Sequence, residues 1–191
     1  MAGGSLGISR RWRWTVGALA ALVLTPAGWA NAQDMPEMPK VAPSPIACPA
    51  TPVAPPAELA GWNARAALSA GADARTAARL ELGKAVDGGL HPTPQVRFAL
   101  RPEKPGGSVS FGGIYAFSVK DAGKYRVALG SAAWIDVVKD GAAVTSIAHG
   151  HGPDCSGIRK MVDFSLEPGE YLLQISANPE AKLPLLVTRL P

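Results

Sequence analysis

Two histidines, an aspartate and a cysteine fall within seven residues, His149-Gly150-His151-Gly152-Pro153-Asp154-Cys155. Side chains two apart on an extended chain share a side, so His149 and His151 could meet one metal ion. Asp154, Cys155 or the distant His91 could complete the set, and iron(II), zinc or copper would suit such ligands. Read otherwise, the same glycine- and proline-rich run is a flexible turn with solvated histidines. Cys155 is also a candidate nucleophile with His151 as its base, but Cys48, the other cysteine of the chain, offers it a disulfide partner. Asp154, Arg159, Lys160 and Asp163 make a charged cluster just past the loop. Such a cluster suits an anionic or sugar ligand, Arg159 being able to grip a carboxylate through two hydrogen bonds; its plainer reading is a salt-bridged loop. Trp134, followed by Asp136, could stack on a sugar ring from an exposed sheet face, yet between Ala133 and Ile135 it reads as core, as do Tyr115 and Tyr125. No Gly-x-Ser-x-Gly, His-Glu-x-x-His, phosphate-loop or dinucleotide-binding pattern accompanies these groups.

The elements that must position them are strands. After Pro94 the sequence falls into short runs of period-two alternation bounded by glycine, proline and aspartate turns. Strands are expected at 95–100, 113–119, 125–130, 134–139, 143–148, 161–166, 171–176 and 185–190, with Asp140-Gly141 a strong hairpin signal. Two segments look alike: Phe117-Ser118-Val119 leads through Gly123 to Tyr125, and Phe164-Ser165-Leu166 through Gly169 to Tyr171. Each reads as a hairpin that delivers an aromatic to the core and starts its return strand with a tyrosine. The pattern predicts an all-β, antiparallel β-sandwich or jelly-roll of about eight strands over 95–191. Before it, 33–94 reads as a Pro/Ala-rich arm and partly irregular segment, with at most a helical turn or two around Asp73 to Leu82.

Residues 1–32 read as a secretory signal peptide, with a basic start at Arg10, Arg11 and Arg13, an apolar stretch from Val16 to Leu24, and a small-residue site at Ala30-Asn31-Ala32. The apolar stretch is too short to span a bilayer core, which needs about 20 residues. Without the leader, three of the 19 basic residues go and 16 face 15 acidic ones. A near-neutral chain with no basic cluster has no electrostatic footprint for nucleic acid. In an oxidising compartment Cys48 and Cys155 are expected to pair, closing a loop of about a hundred residues.

The run Phe-x-Val, Ala-Gly-x-Tyr-Arg-Val-Ala-Leu and Trp-Ile-Asp-Val resembles the β-sandwich accessory domains of secreted bacterial proteins, of the prepeptidase C-terminal and carbohydrate-binding kind. More closely, Val96 to Pro191 is similar to a group of small exported bacterial β-sandwich proteins of unestablished function, whose members often carry the name homogentisate 1,2-dioxygenase. The matching stretches include Arg97 to Leu100, Pro102 to Gly107, Ala133 to Val138, His149 to Gly157, Arg159 to Asp163 and Val187 to Pro191. The resemblance implies a periplasmic or secreted protein. Its name implies an iron enzyme with two histidines and a glutamate. Here His149 and His151 match the His-x-His part and Asp154 stands where a carboxylate could serve, but the chain is far shorter and no glutamate follows at short range. The resulting expectation is an exported binding protein whose ligand is a metal ion, an envelope glycan or a protein partner; the competing one is a metal-dependent dioxygenase.

Overall fold

Strands form where apolar side chains alternate, and the alternation sets which face each strand buries. In Trp134–Lys139 the residues Ile135 and Val137 enter the core while Trp134 and Asp136 turn away from it. The computed structural model describes residues 47–49 and 54–191; the leader at 1–32 and most of the Pro-rich arm lie outside the described residues. The strands are β1 (Ala66–Ser69), β2 (Ala78–Arg79), β3 (Val86–Gly89), β4 (His91–Pro92), β5 (Phe111–Val119), β6 (Gly123–Leu129), β7 (Trp134–Lys139), β8 (Ala142–Ala143), β9 (Ser146–Gly150), β10 (Lys160–Leu166), β11 (Gly169–Asn178) and β12 (Lys182–Arg189). They make two sheets, ordered β1-β3-β12-β6-β10-β9 and β2-β5-β11-β7-β8, with β4 beside β5.

The chain is therefore an all-β sandwich. Tyr115, Phe117, Tyr125, Phe164, Tyr171, Leu173 and Ile175 fill the space between the sheets. A second buried cluster lies on the outer face of the first sheet, where the 3-10 helix Ala57–Asn63 lays Leu59 and Trp62 over Ala128, Ile158 and Leu186. Burying a side chain such as Leu59 stabilises by about 1.5–3 kcal/mol. On the same face Arg126 holds Asp163 through two hydrogen bonds of 2.7 and 2.8 Å, with Glu58 of the helix 3.6 Å away. No helix among the described residues is long and apolar enough to cross a membrane.

Several expectations change. Pairing is mostly antiparallel, but β1 with β3 and β2 with β5 are parallel. Residues 66–92, expected as arm or irregular segment, supply four short strands to both sheets. Helical turns do not form at Asp73, whose carboxylate instead accepts the backbone N–H groups of Arg75 and Thr76 and closes a turn before β2. The expected strand at 95–100 is a loop after the 3-10 turn Thr93–Gln95, with one isolated bridge from Arg97 to Asp73 and its Leu100 end held to Gln174 of β11. The expected strand at 143–148 breaks at Val144 and Thr145, where the chain passes from the edge of one sheet to the edge of the other. The two look-alike segments are not hairpins: β5 and β6 belong to different sheets, as do β10 and β11. Asp140-Gly141 does make a two-residue hairpin, with φ of 50° and 77° as a primed turn requires.

Candidate functional site

The open side of the sandwich is where β7 and β10 approach the ends of their sheets. Strand β8 pairs only with Val138 and Lys139, so the outer edge of Trp134–Asp136 has no partner strand among the described residues. A cleft of about 450 Å³ opens there. Its floor is apolar, formed by core residues Ile135, Val162 and Phe164, and its rim carries Trp134, Asp136, Glu103, Lys160 and His149. A concave site with an apolar floor and a few convergent polar groups is the usual form of a small-ligand site.

Each rim group has a local cause. Trp134 and Asp136 share a side of β7, and the indole Nε1–H donates to Asp136 Oδ1 at 3.0 Å. Asp136 Oδ2 is buried and has no hydrogen-bond partner among the described residues. Burial pushes this carboxyl above the ordinary carboxylate range, against the indole N–H and the amide of Gln174, which favour the ionised form. Opposite Asp136 on β11 stands Gln174, fully buried, whose amide accepts from Leu100 N–H at 3.0 Å and donates to Leu100 C=O at 3.1 Å. Ser176, opposite Trp134, donates to the Lys104 carbonyl at 2.8 Å. These two buried polar side chains pin the 100–104 loop to the sheet and thereby set Glu103 and Lys104 beside the cleft. Lys160 occupies the core-facing row of β10 at its open end, and its Nζ crosses between the sheets to donate to Ala133 C=O at 2.8 Å. Two ammonium groups meet one indole: Lys104 Nζ lies 5.1 Å and Lys160 Nζ 5.4 Å from the Trp134 ring centroid.

The residues singled out from the sequence are dispersed. His149 lies on β9 opposite Val162 and lines the cleft. Strand β9 ends at Gly150, so the side-by-side placement expected of His149 and His151 is lost. His151 Nδ1–H donates to the Arg159 carbonyl at 2.9 Å, and with Asp154 and Arg159 it lines a separate hollow of about 510 Å³ walled by loop glycines. Among the described residues no three His, Cys, Asp or Glu side chains are grouped to hold one metal ion, so the expected set His149, His151 and Asp154 is not brought together. Cys155 is bonded to Cys48, with Cα atoms 5.4 Å apart, and is neither thiolate nor ligand. Asp163, expected beside a ligand, is taken by Arg126, and Arg159 projects into solvent away from the cleft; of that cluster Lys160 alone lines it. Trp134, read as core, is half-buried at the rim, whereas Tyr115 and Tyr125 are core. Glu103 and Lys104 carry no signal of their own in the sequence. The polar pair Gln174 and Ser176 in an otherwise apolar strand does, since buried polar groups require partners.

Fold and cleft define a β-sandwich with a ligand-sized opening between its sheet edges. In comparisons with known proteins, no protein-family model matches the chain, and no curated protein matches it. Among solved structures the chain is similar to the pre-peptidase C-terminal domain of collagenase from Bacillus anthracis, with a TM-score of 0.37 and 16% identity over 64% of this chain and 97% of that one.

Proposed function

We propose that the chain is an exported binding module that takes a saccharide in the cleft between β7 and β10. The observation that carries this reading is the Trp134–Asp136 unit: an aromatic ring at the rim, joined to a carboxylate whose second oxygen has no hydrogen-bond partner among the described residues. A sugar ring presents an apolar face that stacks on an indole and hydroxyls that donate to carboxylates, so it matches both halves of the unit. Export is supported by the basic and apolar leader and by the disulfide, which belongs to oxidising compartments.

Calorimetric titration of the oxidised protein with a panel of cell-envelope oligosaccharides tests this. At least one binds, and Trp134→Ala weakens it about tenfold or more, the equivalent of ~1.4 kcal/mol, while the near-ultraviolet circular dichroism keeps its native form. A panel without a binder, or a Trp134→Ala variant that binds as well as the parent, overturns the reading.

A further inference from the structure

Saccharide hydroxyls account for Asp136 but not for the two ammonium groups on the Trp134 ring. Neither Lys104 nor Lys160 forms an ion pair among the described residues, although Arg65, Arg79, Arg97 and Arg126 all do. Each lysine is nonetheless held in place. Lys160 is tied to Ala133 C=O through one of its three N–H groups, and Lys104 sits on a loop pinned by Ser176. Two like charges on one ring repel, and an arrangement that keeps them there with no carboxylate at ion-pair distance among the described residues, Asp136 acting on Lys160 only from further off, leaves room for an anion from outside.

Like charges are gathered at both ends of the unit. Burial pushes Lys160 below the ordinary lysine range, with the repulsion of Lys104 adding to it and the attraction of Asp136 opposing it; at Asp136 burial again leads, Glu103 repels and Lys160 attracts. The rim therefore has a cationic end and an anionic end. A neutral sugar would answer only the second.

Resting on the saccharide reading above, we infer that the ligand is an acidic saccharide whose carboxylate is held by Lys104 and Lys160, with its ring on Trp134 and its hydroxyls toward Asp136 and Glu103. The carboxylate turns the repulsion between the two lysines into two charge-assisted hydrogen bonds, which are stronger than neutral ones. It also makes binding sensitive to salt, because Lys104 is exposed to solvent.

The test compares an oligogalacturonate with a neutral galacto-oligosaccharide of equal length, titrated into the oxidised protein and into Lys104→Gln, an exposed loop variant. The acid is expected to bind at least tenfold tighter than its neutral counterpart. Lys104→Gln should erase most of that margin by weakening the acid at least several-fold more than the neutral sugar, and raising the salt should narrow the margin in the parent only. Equal binding of both sugars overturns the acidic assignment while the saccharide reading stands. A margin that survives Lys104→Gln also overturns it. If neither sugar binds, the acidic assignment falls, and the saccharide reading stands or falls with the envelope panel.

Discussion

Asp136 sits where its own stability and its proposed task pull in opposite directions. Its burial disfavours the ionised form, and the indole N–H of Trp134 with the amide of Gln174 offsets only part of that cost. The sign follows from linkage: with its folded-state pKa raised, the folded protein holds this proton to higher pH than the unfolded chain does. The benefit is full below the ordinary carboxylate range and is lost as pH rises through the raised value, so at neutral pH the charged group destabilises the fold. Asp136→Asn removes the charge and keeps the acceptor for the indole. The variant should melt at a higher temperature than the parent at pH 7, and the gap should close as the pH is lowered toward 3. It should also bind saccharide more weakly, because an amide donor replaces the free acceptor. A variant that melts lower at pH 7 would mean that the carboxylate is held by groups the geometry does not reveal. A residue that weakens the fold and lines a cleft is what a binding role predicts.

At the scale of elements, the look-alike segments are corners through which the chain changes sheet. In both, a tyrosine hydroxyl donates to a carbonyl four residues upstream, Tyr125 to Asp121 at 2.8 Å and Tyr171 to Glu167 at 2.7 Å, while the ring stays in the core. The bond fixes the backbone where no strand ladder does. Tyr171→Phe keeps the ring stacked on Phe117, 5.4 Å away, and loses only the hydroxyl. It should cost about 1 kcal/mol in urea unfolding at unchanged m; no shift in midpoint would show the corner to be held by packing alone. The sequence made the repeat of these segments visible, and also their core aromatics, because alternation tells which face a residue takes. It does not tell which strand lies alongside, and so sheet-changing corners were read as hairpins. Strand β7 was legible residue for residue because the Asp140-Gly141 turn, with φ positive at both positions, ends it. The 95–100 loop imitates a strand in its pattern, and its true state depends on a glutamine more than seventy residues away. The same long-range contact hid the site: Lys160, Trp134 and Asp136 were visible as candidates, while Glu103 and Lys104 become rim residues only through Gln174 and Ser176.

For the molecule as a whole, the Cys48–Cys155 bond is the longest covalent constraint, and its worth depends on what holds Cys48 otherwise. Closing a loop across the separation of 107 residues costs the unfolded chain ~4.8 kcal/mol on the chain-entropy model. That figure applies in full only if the folded chain keeps Cys48 in place after reduction. Ala47–Pro49 are exposed and make no hydrogen bonds among the described residues, and the first helix or strand among those residues is the 3-10 helix from Ala57. If nothing before that helix holds the arm once the bond is reduced, the folded state regains the freedom of a loop of about nine residues, worth ~2.6 kcal/mol on the same model. The difference, about 2 kcal/mol, is the expected loss on reduction. Urea unfolding with and without reductant, beside Cys48→Ser/Cys155→Ser, measures it. The cleft should survive the change, because Lys160 remains tied to Ala133 and the cysteine loop keeps the bond from Trp62 Nε1–H to Ser156 C=O at 3.0 Å. Saccharide affinity should therefore be the same in both redox states. A stability loss near the full 4.8 kcal/mol would place the arm against the domain independently of its disulfide, and a loss of affinity on reduction would make the cysteine loop part of the site.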